Sequence, residues 1–345
     1  MPPTYSTRVS TYRPALAWFA GIGSVWVFVL VTMGAFTTSI GAGMIFPDWP
    51  LSNGSLNPNG WFHNVAMFAE HSHRLSAGIM SIITIAIAAW VWRTDSRAWL
   101  RRLAIAAVVL IFVQAFVGGL RVLLEKHQVE MIGTSVGRLF AMAHACLAQI
   151  FVCTLAAIAA ACSRPWIESK PLVESPALQR LRTLAVTCCA LILIQLAIAA
   201  VMRHSFAGLA IPTFPQSTPE GDWLPAHWDF RVGINFAHRV MALFITVGVV
   251  WFASSLLRSA HTARNLKIAA GAQLVFLVAQ IALGASVIWS GRNPHTTTAH
   301  VIVGALLLTT TFLITWFLHR DAIERRDAAP AAKASPFSTP ALSRS

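Results

Sequence analysis

Eight apolar runs of about 20 residues alternate with polar stretches along the chain, each long enough to cross about 30 Å of hydrocarbon as a helix. They extend from Leu16 to Thr38, Val65 to Trp92, Leu103 to Leu124, Leu139 to Cys162, Leu184 to Met202, Ile234 to Leu257, Ile268 to Trp289 and Thr298 to His319. The first is longer than the roughly 7–15-residue apolar region of a secretory leader, so it reads as a retained helix. Two long stretches rich in Pro, Gly and Trp, Ser39 to Asn64 and Arg203 to Gly233, fall on the same side if every run crosses. Their residues Trp49, Trp61, Trp223 and Trp228 suit a membrane interface or a contact with substrate.

Composition removes the soluble alternatives. Only 11% of the 345 residues are charged, against roughly 25% in an average soluble domain, and mean hydropathy is +0.63. Too few polar side chains exist to coat a water-facing surface, so lipid is the solvent. The net charge of +13 does not point to nucleic acid, because the basic residues sit in short clusters between apolar runs. Eighteen of the 26 lie on the side opposite the two long loops, which the positive-inside bias assigns to the cytoplasm. The expectation is an all-α integral protein of a bacterial-type inner membrane with both termini cytoplasmic. Cys146, Cys153, Cys162, Cys188 and Cys189 all fall in or at the end of apolar runs, which suits neither a disulfide framework nor a zinc site.

The chain contains a duplication. Gly43-Met44-Ile45-Phe46-Pro47-Asp48-Trp49-Pro50 aligns with Gly208-Leu209-Ala210-Ile211-Pro212-Thr213-Phe214-Pro215, and the offset that carries Gly43 onto Gly208 also carries His73-Arg74 onto His238-Arg239. Gln114 and Gln280 each precede a glycine by four residues, Gly118 and Gly284. We therefore expect two pseudo-symmetric four-helix bundles, residues 15–162 and 184–319, in the same orientation because each half has an even number of spans. The remaining segments are a cytoplasmic N-terminus (1–14), a cytoplasmic linker (163–183) and a disordered cytoplasmic tail (320–345).

Ionisable residues inside a span are costly and mark function by default. Of the twelve histidines, His63, His127, His204, His227, His261 and His295 read as loop residues and His319 as a helix end. His73, His144, His238 and His300 lie in spans two, four, six and eight, at one shallow depth below the long loops. Two imidazoles facing each other within a four-helix half can supply both axial ligands of a haem, His73 with His144 and His238 with His300. The alternative for a single such residue is an interhelical hydrogen bond. His71 points to another helix face and reads as a loop-proximal hydrogen bonder.

Glu70 is the one acidic residue inside a span, on the same helix face as His73, and its repeat counterpart is Asn235. A desolvated carboxyl there exchanges protons with a substrate, or else makes a hydrogen bond or ion pair with Arg74 or another outer-side arginine. Arg74 and Arg239 either pair with haem propionates or snorkel to the interface.

Glu70-His71-Ser72-His73-Arg74 resembles the Glu-x-x-His-Arg motif of the haem A synthase family, and Phe46-Pro47-Asp48-Trp49-Pro50 is similar to the Pro-Asp-Trp-Pro segment of its first outer loop. The resemblance spans residues 15 to 320. It implies oxidation of the C8 methyl of haem O to a formyl group, a four-electron change through an alcohol and a gem-diol. His73 and His144 would hold the substrate haem, His238 and His300 would ligate haem b, and Glu70 would be the catalytic carboxyl. Implied partners are haem O, membrane lipid, the farnesyltransferase that makes haem O, and terminal-oxidase assembly factors. Many members carry a cysteine pair in the first outer loop; here Ser39 to Asn64 has none. A dihaem b-type cytochrome passing electrons from quinol is the alternative function, and a haem or small-molecule carrier a further one.

Overall fold

The computed structural model describes residues 11–259 and 262–325. It is helical, with eight long apolar helices: α1 (Pro14–Ser39), α2 (Val65–Thr94), α3 (Ala98–Leu123), α4 (Val136–Cys162), α5 (Pro176–His204), α6 (Phe230–Arg258), α7 (Arg264–Trp289) and α8 (Pro294–Leu318). Each is long and apolar enough to cross a bilayer. All eight expected spans are present. Most begin several residues before the apolar run, because a polar first turn is served by a cap. Asn64, Ser135, Ser175, Asp229 and Asn293 each accept a hydrogen bond from a first-turn N–H, and Pro14, Pro176 and Pro294 occupy first-turn positions where no donor is required. His204 and His295 consequently lie in helices, the last turn of α5 and the first of α8, and not in loops as the hydropathy pattern suggested. His261 and the tail beyond residue 325 lie outside the described residues.

Helix α1 packs on α2 and α4, and α3 closes on both of these; α5 likewise packs on α6 and α8, and α7 on α6 and α8. The two sets meet where α1 and α4 face α5 and α8, and α4 and α8 are the most enclosed helices. The large residues facing outward, such as Ile22, Ile82, Phe112, Leu243 and Val278, are those that lipid covers. Contact between such helices comes from close packing and hydrogen bonds, since lipid tails are as apolar as leucine.

Both apolar cores are built from the stretches of the helices that lie away from the long loops. In the first, Val27, Met80, Ile87, Leu100, Ile111, Phe151 and Leu155 interlock; in the second, Cys188, Ile192, Val249, Phe252, Leu277, Leu308 and Ile314 do so. The histidines stand above these cores. A short hairpin, β1 (Gln128–Val129) with β2 (Thr134–Ser135), joins α3 to α4 on the long-loop side.

The tail expected to be disordered from residue 320 is helical through residue 325 and docked. Arg320 donates to the carbonyls of Ser169 and Lys170 at 2.9 Å each. Glu324 accepts the indole N–H of Trp166 at 2.7 Å and pairs with Arg97 at 3.3 Å. Charged residues that read as a solvated tail find partners on the linker and on the α2–α3 turn, which lie far from them in sequence.

Candidate functional site

Each of the four histidines is half-buried and set against a small or amide-bearing residue of the preceding helix. The His73 ring lies over Gly34 of α1, where an added Cβ would come within 2.8 Å of Cε1. His144 lies over Gly118 of α3 (2.9 Å) and His300 over Gly284 of α7 (3.1 Å). Gln114, one turn before Gly118, donates from Nε2 to the His144 carbonyl at 2.8 Å, while its own carbonyl accepts from His144 Nδ1 at 3.1 Å. Gln280, one turn before Gly284, brings Nε2 to 3.3 Å from His300 Nε2. Gln195 of α5 donates to the His238 carbonyl at 2.9 Å. The repeated glutamine–glycine spacing thus has a reason: two positions one turn apart, one clearing space for the ring and the other contacting the histidine, at its carbonyl in the first half and at its ring in the second.

His73 and His144 lie within electrostatic reach of one another, and so do His238 and His300. Because a carbonyl only accepts, His144 carries its proton on Nδ1 and leaves the Nε2 lone pair free for a metal. His73 and His300 likewise face the backbone carbonyls of Leu30 and Gln280, one turn before the glycine under each ring, whereas the buried Nδ1 of His238 has no hydrogen-bond partner among the described residues. Paired imidazoles without a thiolate or a third ligand, with glycines clearing room for three of the rings, fit the donor set of a bis-histidine haem. Among the described residues no cluster of three His, Cys, Asp or Glu gathers into a separate metal site.

Beside His73, Glu70 is buried and fully engaged. Its Oε1 accepts from Arg74 Nη2 at 2.5 Å, and its Oε2 accepts from the backbone N–H of Ile45 at 3.0 Å and Phe46 at 3.5 Å. The ion pair with Arg74, one of the partners the sequence offers Glu70, is thus present in the structure. Arg74 in turn donates to the carbonyls of Phe46 (3.2 Å), Asp48 (2.7 Å) and Leu51. Arg239 donates to those of Ile211 (2.9 Å), Thr213 (2.7 Å) and Gln216 (3.3 Å), the repeat counterparts of the same three positions. Both arginines therefore clamp the long loop of their own half, an arrangement invisible in the motif because the acceptors are backbone atoms. In the second half Asn235 stands for Glu70: its Oδ1 accepts from Arg239 and its Nδ2 donates to the Ala207 carbonyl.

The first loop is tied further. Trp49 lies flat against Gly119, where a Cβ would meet the indole at 2.6 Å. Asp48 accepts from the N–H groups of Asn53 and Gly54 at 2.8 and 2.7 Å. Burial works to raise the Asp48 carboxyl, but these N–H groups and nearby Arg74 outweigh it and hold the group below its ordinary value. His71 turns away from His73 and meets Ser52 Oγ at 2.9 Å, edge-on to Trp61. Sequence reasoning missed Gly34, Gln195, Arg121 and Arg203. Gly34 and Gln195 break the repeat, their counterparts being Ala199 and Leu30.

Residues 17–312 match the model of the COX15-CtaA family, described as cytochrome oxidase assembly protein. The chain belongs to this family. Among its relatives, heme A synthase of Bacillus licheniformis is 27% identical over 282 residues, covering 79% of this chain and 86% of the relative. Heme A synthase of Halalkalibacterium halodurans is 25% identical over 317 residues, or 88% and 97%. A third, from Listeria monocytogenes, is 26% identical over 302 residues, or 84% and 92%. This COX15-CtaA member has five free cysteines, all in helices, and none in the first long loop.

Proposed function

We propose that this chain is a haem A synthase, an oxidoreductase of the membrane that converts the C8 methyl of haem O to a formyl group. Family membership and the names of the relatives support the reaction. The observation that carries the division of labour is that two repeat-related histidine pairs differ in one charge: a carboxylate beside His73, an amide beside His238.

In this reading residues 15–162 and 184–319 are two bundles joined by the 163–183 linker, and the first binds substrate haem O through His73 and His144. The second retains haem b through His238 and His300, and haem b when bound supplies a one-electron redox centre. Glu70 is the proton acceptor at the methyl-bearing edge, held in place by Arg74 and the N–H groups of Ile45 and Phe46. Arg74 and Arg239 complete the two sites by fixing the long loops over them, and Trp49 against Gly119 closes the first against water. The basic bias supports an orientation with both termini in the cytoplasm, and the bacterial origin of the relatives supports a bacterial-type inner membrane. The farnesyltransferase that makes haem O would supply the substrate, and terminal-oxidase assembly would take the product.

The deciding experiment is expression in a host that makes haem O but not haem A, with mass analysis of extracted haems. Haem A appearing with this chain supports the proposal; its absence with an intact, haem-loaded protein ends it, and leaves a dihaem cytochrome.

A further inference from the structure

Three arginines on the long-loop side are left without a carboxylate. Arg121, in the last turn of α3, donates from Nη1 to the Gly43 carbonyl at 3.0 Å and presses so closely on Gly43 that a Cβ there would lie 2.5 Å from Nη1. Arg292, just after α7, lies against Gly208, the repeat mate of Gly43, with Cδ at 3.5 Å from a Cβ built there. The two arginines are not repeat mates in sequence, yet each half brings a guanidinium to the same loop glycine. Arg203, in the last turn of α5, crosses between the halves and donates from Nη2 to the Ala35 carbonyl (3.0 Å) and Ser39 Oγ (2.8 Å) of α1.

Arg203, which bridges the two halves through α1, is the arginine that relates the other two. Arg203 lies within electrostatic reach of both Arg121 and Arg292, and of His300; Arg121 lies within reach of His73 and His144. The carboxylates near Arg121 are committed elsewhere, Glu70 to Arg74 at 2.5 Å and Glu125 to Arg138 at 3.3 Å. Among the described residues none of the three has an ion-pair partner. Like charges within reach of one another at half-buried positions repel, and an arriving anion relieves that repulsion.

We infer that Arg121, Arg203 and Arg292 form an anion seat for the carboxylate edges of the porphyrins, with Arg203 shared between the two halves. The inference rests on the reading of the histidine pairs as haem ligands. A porphyrin held there with its two propionates toward the long loops presents paired carboxylates, which the planar guanidinium fork matches. Arg74 and Arg239 are the arginines that the sequence suggests for this task, but each already donates to three loop carbonyls and to the side chain one turn before it, Glu70 or Asn235.

The test is titration of the detergent-purified full chain with haemin and with haemin dimethyl ester, whose edge is uncharged, followed by absorption. The dicarboxylate is expected to bind at least tenfold more tightly to the unaltered protein. Arg121→Met or Arg203→Met should erase most of that preference while leaving ester binding unchanged, and Arg203→Lys should restore part of it. Equal affinity of the two porphyrins for the unaltered protein overturns the seat without reference to any variant. His73→Ala and His238→Ala separate the two levels. If they weaken both porphyrins and the preference for the dicarboxylate is absent, only the seat fails; if they change neither, the ligand reading itself fails.

Discussion

The two halves of this chain share a frame and differ in one electrostatic detail. In each, an arginine directly after a histidine grips three carbonyls of its own long loop, at positions that the repeat superimposes. In the first half the residue one turn earlier is Glu70, a carboxylate bonded to that arginine; in the second it is Asn235, which bonds the arginine through its amide oxygen without charge. Loop-clamping therefore does not need the carboxylate. A buried carboxylate retained where an amide suffices is costly to desolvate, and that cost points to a use beyond structure. The comparison supports a reactive first site and an electron-storing second one.

The histidines give the largest effects. His238→Ala or His300→Ala should abolish the haem b absorption bands and reduce haem A formation to background, whereas His73→Ala should remove product and leave those bands in place, read by difference spectroscopy and haem extraction. The reverse assignment of bands would exchange the roles of the halves. Next comes the carboxylate itself. Glu70→Ala should lower turnover by about 10²–10⁴-fold while haem b is retained. It also strands Arg74, with a stability cost of about 3–5 kcal/mol measurable by denaturation. Asn235→Glu should pair with Arg239 and confer no new activity. An unchanged turnover in Glu70→Ala would remove the acid from the mechanism.

Smaller effects sharpen the packing half of the comparison. Gly34→Ala and Gly118→Ala place a methyl 2.8 and 2.9 Å from the rings of His73 and His144 and should reduce porphyrin occupancy of the first half only, at about 1–3 kcal/mol. Gly284→Ala, with 3.1 Å available, should do the same to the second half more mildly. The smallest change is Gln114→Ala, which removes one hydrogen bond to the His144 carbonyl and should weaken first-half binding by about 0.5–1.5 kcal/mol, detectable by titration.

The sequence by itself determined the eight helices, because an apolar run of that length in lipid has no other way to satisfy its backbone. It also marked the four histidines and Glu70, since a polar side chain inside such a run stands out by its cost. The duplication was legible too, and with it the equivalence of the loops. What only the tertiary structure decided were the partners. Arg74 and Arg239 act on backbone carbonyls, which carry no signature in the residue string, and Arg203 finds α1 only because the halves pack together. The same holds for Glu324 meeting Trp166, which turned the start of an apparently solvated tail into a docked turn. Periodicity and burial cost are local and can be read along one dimension, whereas pairing depends on which ends of distant helices meet in space.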